Sequence, residues 1–383
     1  ELPMRIKTTL TAAAAIAALA VASPALAEIR IGSSLAVTGP ASFLGDPALK
    51  TLEMLVEQLN EKGGINGEEV RLIHYDDGGD ANRARTFATR LVEDDEVVAI
   101  VGGSTTGTTM AMVPVFEDAE IPFVSMGGAV VIVDPVNPYV FKTPHTDRMA
   151  CEKIFTDIQA RGLSKVGLIS GQGGFGKSMR EQCLDVVGDF DIEIVADETY
   201  GDDDADMTVQ LTRIRNTEGV EAVVVAGFGQ GPAIVTRNYA QLGIDLPLYQ
   251  SHGVASDAYI DLAGEAADGV RLPGTALLIA DQLPEGDPQR EVVQTFKADY
   301  EARYGEAPST FAGYAYDAFQ LMVDAIERAG STDPNAIRDA LEETSGFVGV
   351  TGEFNMTPED HMGLDLSAFR MLEIRDAEWV LVE

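Results

Sequence analysis

Short runs of aliphatic residues alternate along the chain with longer amphipathic stretches, the arrangement expected of β-α units feeding a parallel sheet. The pattern predicts a strand over EIRIGSS, a helix over PALKTLEMLVEQLNEK opened by Asp46-Pro47 and stopped by Gly63-Gly64, and a strand over EVRLIHYDD. A helix over ANRARTFATRLVED, a strand over VVAIVGG, a helix over TTGTTMAMVPVFEDA and a strand over IPFVSMGG follow. After a polar join near Pro144 to Asp147 the rhythm restarts as helix, KVGLIS, helix, IEIVADE, helix, EAVVVAGF, helix, LPLYQS. Past residue 275 come three helical stretches, over 288–304, 310–329 and 334–343, and then short strands.

Two such runs imply an α/β fold of two Rossmann-like lobes, each an open parallel sheet flanked by helices, with a ligand cleft between them. The tail is read as completing both. Residues 28–145 and 276–350 then form lobe 1, and residues 146–275 and 351–383 form lobe 2.

The N-terminal stretch stands outside this rhythm. MRIKTTLTAAAAIAALAVASPALA, residues 4–27, has a start Met, Arg5 and Lys7, an Ala-rich apolar run, and Ala25-Leu26-Ala27 as a small-x-small cleavage site. It reads as a secretory signal peptide cleaved after Ala27, and residues 1–3 before it as a tag scar or a misplaced start. The expected location is periplasmic. Removing the first 27 of 383 residues leaves 356, and takes the net charge from −35 to −36 through the loss of Arg5, Lys7 and Glu1. A surface this negative repels nucleic acid and anionic lipid, so neither is expected as a partner, and a monomer is expected. Cys151 and Cys183 fall on helices of successive β-α units in an oxidising compartment. A disulfide and two separate buried thiols both remain open.

The loops at the carboxyl ends of the strands hold the candidate chemistry. GGSTTGTT after VVAIV offers the hydroxyls of Thr105 to Thr109 at a helix start, with no basic side chain, which suits a carboxylate or a neutral polar group. After IPFVS, Gly127 and Gly128 allow close backbone approach. Phe43, Phe175 and Phe228 offer flat apolar walls, and His252 one imidazole. The turn GQGGFGKS, residues 171–178, fits both dinucleotide and P-loop glycine patterns. No strand ending in a metal-binding Asp supports it, and an exported protein meets little nucleotide, so no nucleotide and no other cofactor is expected. His74, His145 and His361 have no partners at metal spacing, and no metal site is expected.

On IGSSLAVTGPASFLGDPALKTLEMLVEQLNEKGGINGEEVRLIHYDD, GGSTTGTT, FEDAEIPFVSMGG, GQGGFGKS and SHGVASDAYIDLAGEAADGVRLPG, the whole mature chain resembles the periplasmic solute-binding proteins of the leucine/isoleucine/valine-binding type. These are exported receptors that feed ABC importers. The resemblance implies a type I periplasmic binding protein fold, inner-membrane permease subunits as partners, and ligand contacts at Leu44, Thr106, Gly127, Ala129, Phe175, Phe228, His252 and Phe311. It implies an aromatic role for Phe175 and none for Lys177 or Ser178.

Two departures bear on the ligand. Amino-acid binders of this type hold the ligand ammonium with a carboxylate where this chain has His252, and use a threonine where Ala129 stands. Gly79 and Thr105 occupy the positions of the family's disulfide cysteines. Without the acid, a buried ammonium would be unpaired, at a cost of several kcal/mol. The S-H-G-V-A-S stretch resembles the branch that carries aromatic acids such as benzoates. A small aromatic or apolar carboxylate is the expected ligand. A branched-chain or aromatic amino acid on the same transporter type is the alternative. A secreted hydrolase is the rival class, against which stand the lack of G-x-S-x-G and of any triad context for the histidines, so no catalytic residues are assigned. The duller roles are packing for Phe43, Phe175, Phe228 and Phe311, helix capping for the threonines, and a backbone bond for His252.

Overall fold

The computed structural model describes residues 28–201 and 203–382; the expected signal peptide and its cleavage site lie outside them. Strands β1 (Glu28–Leu35), β2 (Glu69–Asp76), β3 (Ala99–Gly102), β4 (Phe123–Ser125) and β5 (Val140–Lys142) form the first sheet, in the order β2-β1-β3-β4-β5 and wholly parallel. Helices α1 (Ser42–Glu61), α2 (Ala81–Glu93) and α3 (Thr106–Asp118) connect its strands. The chain then passes through α4 (Asp147–Ala160), β6 (Lys165–Gly171), α5 (Gly174–Val186), β7 (Glu193–Tyr200), α6 (Thr208–Asn216), β8 (Ala222–Ala226), α7 (Gln230–Gln241), β9 (Leu248–Gln250), α8 (Asp257–Ala263) and β10 (Arg271–Gly274).

The tail supplies α9 (Arg290–Tyr304), α10 (Thr310–Ala329), α11 (Pro334–Glu342), the two-stranded ribbon β11 (Phe347–Val348) and β12 (Glu353–Phe354), and then β13 (Arg370–Arg375) and β14 (Glu378–Leu381). The second sheet runs β14-β13-β10-β9-β8-β6-β7. Its last two strands pair antiparallel, an edge the β-α rhythm does not foretell. Every residue of β3 and β8 is buried, as expected of parallel strands covered on both faces.

Tail and body are stitched by side chains. Lys50 of α1 bonds Glu306 at 2.7 Å, and the Arg303 guanidinium of α9 pairs with Glu57 at 2.5 Å, fixing this part of the tail against the first sheet's helices. The tail joins the second sheet later than residue 351. Thr351 N donates to Asp317 of α10 at 2.7 Å, His361 stacks on Phe141 of β5 at 4.0 Å, and pairing with the second sheet begins at Arg370.

Helix α1 and strand β5 depart from the sequence expectation, and α8 and β10 fall where it foresees no element. Helix α1 opens at Ser42, four residues before Asp46-Pro47, because the Ala41 carbonyl accepts the Leu44 and Gly45 N–H groups, while Asp46 is turned to Lys50 at 2.9 Å. Phe43 and Leu44 are thereby carried on its first turn. Strand β5 has no apolar run to announce it, since its third residue is a fully buried lysine. Of the two readings open for the cysteines, the structure shows the bond: Cys151 of α4 is joined to Cys183 of α5, with Cα atoms 5.1 Å apart.

Candidate ligand cleft between the lobes

In both sheets the parallel strands run in 2-1-3-4-5 order, so the winding reverses between β1 and β3 in one and between β6 and β8 in the other. Ligands of such sheets lie outside the carboxyl ends of the strands at that switch. Here the two switches face each other. A β-carbon placed on Gly174, opening α5, would stand 3.7 Å from the backbone nitrogen of Gly107 near the start of α3, so the positive ends of two helices converge from opposite lobes.

A cavity lies in this crevice, its free space, part of it open to solvent, amounting to about 390 Å³. The first sheet's loops contribute Leu44, Ser104, Thr105, Thr106, Met126 and Gly128. The second sheet's loops contribute Phe175, Phe228, His252 and Gly253, and Pro144, Phe311 and Tyr314 complete the wall. A smaller chamber of about 200 Å³ shares Leu44, Ser104, Met126, Phe311 and Tyr314 and ends at Ala48. No lining residue of either space carries a formal charge except through titration of His252.

Aromatic rings cross the cleft in a continuous series. Phe311 meets Phe43 edge-on at 5.6 Å, Phe43 meets Phe228 at 6.4 Å, Phe228 meets Phe175 at 6.1 Å, and Phe175 meets His252 at 5.4 Å. All lie in the range where edge-to-face pairs attract. Phe43 stands at the mouth, lining an adjoining groove with Gly39, Gly229 and Tyr259 rather than the cavity itself.

The polar groups sort sharply. Thr105 caps α3, its hydroxyl accepting from Thr108 N at 3.1 Å, and Thr109 bonds Ser125 at 2.9 Å, so neither presents the open hydroxyl that the threonine run suggested. Thr106 does: its buried Oγ1 has no hydrogen-bond partner among the described residues. Tyr314 OH is likewise buried and unpartnered, and burial pushes its phenol well up, keeping it a neutral donor. His252 is 2% exposed, with neither ring nitrogen in a well-formed hydrogen bond. Burial pushes it down to about 3, with the Lys142 charge adding to the effect, so the imidazole is neutral and has an N–H to give.

Gly127 and Ala129 do not reach the cavity. Gly127 N is bonded to Ser125 Oγ at 3.0 Å, and Ala129 is fully buried with its carbonyl toward Lys142, so the turn offers only Gly128 to the other lobe. Ser104, Met126, Pro144, Gly253 and Tyr314 escaped the sequence reading. For Tyr314 a signal existed, since it lies three residues after Phe311 and so shares its helical face.

The GQGGFGKS turn is a cleft loop. Lys177 is exposed on the first turn of α5 while Phe175 is buried in the cavity wall. Gly176 is there for packing, since a β-carbon on it would come within 2.3 Å of the Gly171 carbonyl oxygen. Among the described residues no cluster of His, Cys, Asp and Glu is arranged to hold a metal, and no helix is long and apolar enough to cross a membrane.

Two mainly parallel sheets with facing switch points and a largely apolar cavity between them define a two-lobed solute-binding protein. The chain belongs to the periplasmic binding protein family, whose sequence profile matches residues 28–377. It is 27% identical over 335 residues, 87% of each chain, to the leucine-, isoleucine-, valine-, threonine-, and alanine-binding protein of Pseudomonas aeruginosa. An extracellular ligand-binding receptor from Rhodopseudomonas palustris HaA2 superposes with a TM-score of 0.86 at 29% identity, over 93% of this chain and all of that one. The branched-chain amino acid transporter substrate binding protein of Streptococcus pneumoniae, solved with isoleucine, shares the fold with a TM-score of 0.81 at 24% identity, over 93% of this chain and 100% of that one.

Proposed function

We propose that this protein is an exported, monomeric receptor that captures a small monocarboxylate with an aromatic or apolar body and delivers it to the permease of an ABC importer. One observation carries the ligand class: a cavity walled by phenylalanines, Leu44 and Met126, with donors from Thr106, Tyr314 and His252 and no acid. A carboxylate meets donors and two helix N-termini there, whereas an α-ammonium meets nothing that neutralises it. Ligand docks on Thr106 and Gly128 of lobe 1; Phe175, Phe228 and His252 of lobe 2 then close over it by a hinge motion. No catalytic step belongs to this reading.

A panel of ligands tests it by thermal shift. A ligand at a hundred times its dissociation constant adds ~2.7 kcal/mol, which moves the midpoint by several degrees. Benzoates should shift the protein, and leucine and ATP should not. The name of the Pseudomonas relative favours the second reading, a branched-chain amino-acid receptor, and a shift with leucine alone would establish it over the first. Turnover of a bound ester or amide would point instead to a hydrolase.

A further inference from the structure

Beneath the cleft floor lie two buried bases, Lys142 and His145, that the proposed binding reaction does not use. Lys142, last residue of β5, is completely buried, and its ammonium makes no ion pair among the described residues. Its Nζ donates to the carbonyls of Gly128 at 3.1 Å, His145 at 3.2 Å and Ala129 at 3.5 Å. Three neutral carbonyls are poor compensation for a charge removed from water. The same Gly128 faces the cavity, and a β-carbon on it would stand 3.2 Å from His252 Nε2. One glycine thus separates the buried ammonium from the imidazole lining the pocket. His145, also fully buried, stacks on Phe369 at 3.7 Å, and Phe369 in turn meets His252 at 5.4 Å.

We infer that Lys142 is the charge-reading residue of the cleft: it never touches the ligand, but an anionic ligand supplies the negative charge that the Lys142–His145–His252 cluster lacks, and binding takes up a proton into that cluster from the solvent. The inference rests on the carboxylate reading proposed above. Its chemistry is a protonation of one cluster nitrogen, with water or buffer as the donor.

The electrostatics agree with the geometry. Burial draws Lys142 down to about 7, and Asp147 at the start of α4 only partly offsets this. His145 is held well below its ordinary value by burial, then by His252 and Lys142. Asp147 does not neutralise the lysine by contact: its Oδ1 accepts from Val130 N at 2.8 Å and Arg148 N at 3.0 Å, Ser178 of α5 lies against it, and burial pushes its own carboxyl up. Around the cluster, Arg148 is turned away to Gln182 and Asp134, and His361, over Phe141, has its Nε2 3.3 Å from a Glu342 carboxylate oxygen. On α10, Tyr314 and Asp317 are the ionisable groups of the turn whose Tyr314 carbonyl accepts Thr143 Oγ1, and Asp317 is occupied by Val350 N and Thr351 N. A carboxylate arriving beside His252 raises the proton affinity of every base in the cluster.

Calorimetry of benzoate binding to the whole protein tests this, with titrations between pH 6 and 8.5 in two buffers of different ionisation heat. Benzoate is fully ionised throughout, so any proton exchanged belongs to the protein. Expected is uptake of about one proton per ligand above neutrality, with affinity flat below pH 7 and falling about tenfold per pH unit above it. Lys142→Met should abolish the uptake and flatten the profile, a change that a merely structural role for the side chain would not produce. Benzoate binding without proton uptake, or uptake unchanged in Lys142→Met, overturns the inference and leaves the carboxylate reading standing. Failure of every carboxylate to bind overturns both.

Discussion

Gly128 of lobe 1 and His252 of lobe 2 meet across the cleft with no room for a side chain between them. A β-carbon on Gly128 would stand 3.2 Å from His252 Nε2 and 2.9 Å from Phe175 Cε2. Gly128→Val should therefore prop the lobes apart. The substitution sits in a half-buried loop of one lobe and is expected to leave the unliganded melting temperature within a few degrees of wild type. Ligand affinity should fall at least tenfold, a loss of ~1.4 kcal/mol or more. Small-angle scattering with and without ligand measures it: an equal compaction in wild type and variant would refute the contact as a condition of closure.

Adjacent threonines should respond in opposite ways. Thr105 caps α3, in a reciprocal pair with Thr108, so Thr105→Val should cost about 1 kcal/mol of stability. Thr106 holds up nothing in the unliganded protein, since its buried hydroxyl is unpartnered. Thr106→Val should leave stability unchanged or raised and weaken binding roughly 10- to 150-fold, the worth of one hydrogen bond to a charged acceptor. Chemical denaturation and calorimetry on both variants separate the roles.

The contrast also shows what the sequence could tell. The β-α alternation was legible because strands such as VVAIV and AVVVA are buried on both faces and read as unbroken apolar runs. The loops lining the cleft followed from the strand order. Which residue of each loop faces the cavity did not, because it depends on backbone direction over one or two positions: Gly128 but neither Gly127 nor Ala129, Thr106 but not the hydroxyl of Thr105. Strand β5 was hidden for a different reason. A lysine that is fully buried defeats the assumption that charge marks the surface, and nothing in the local sequence announces the carbonyls gathered around it.

The Cys151–Cys183 bond closes a loop of 32 residues between α4 and α5. On the chain-entropy account its loss costs about 3 to 4 kcal/mol. The Cys151→Ser, Cys183→Ser double variant should melt roughly 10 °C lower. Neither cysteine lines the cavity, so ligand affinity should stay within about twofold, as the independence of distant sites leads one to expect. A large affinity loss at a temperature where the variant is folded would mean that the bond also sets the position of Phe175 at the head of α5.

The buried lysine should be visible in stability even with no ligand present. In the folded protein Lys142 is drawn down from 10.5 to about 7, so between those values the unfolded chain holds a proton that the folded chain has released. Stability from this group therefore rises as pH rises through that window, and the whole cost of burying the ammonium is felt below pH 7. Replacing it by a side chain of similar length without charge removes the cost. Lys142→Met is expected to be more stable than wild type at pH 6 by several kcal/mol, the advantage narrowing steadily toward pH 10. Urea denaturation of both proteins at pH 6, 8 and 9.5 gives the comparison. A constant difference across the three would place the lysine's proton outside this range in the folded state, and a variant less stable at every pH would show that tying the Gly128 and His145 carbonyls together contributes more than the charge costs.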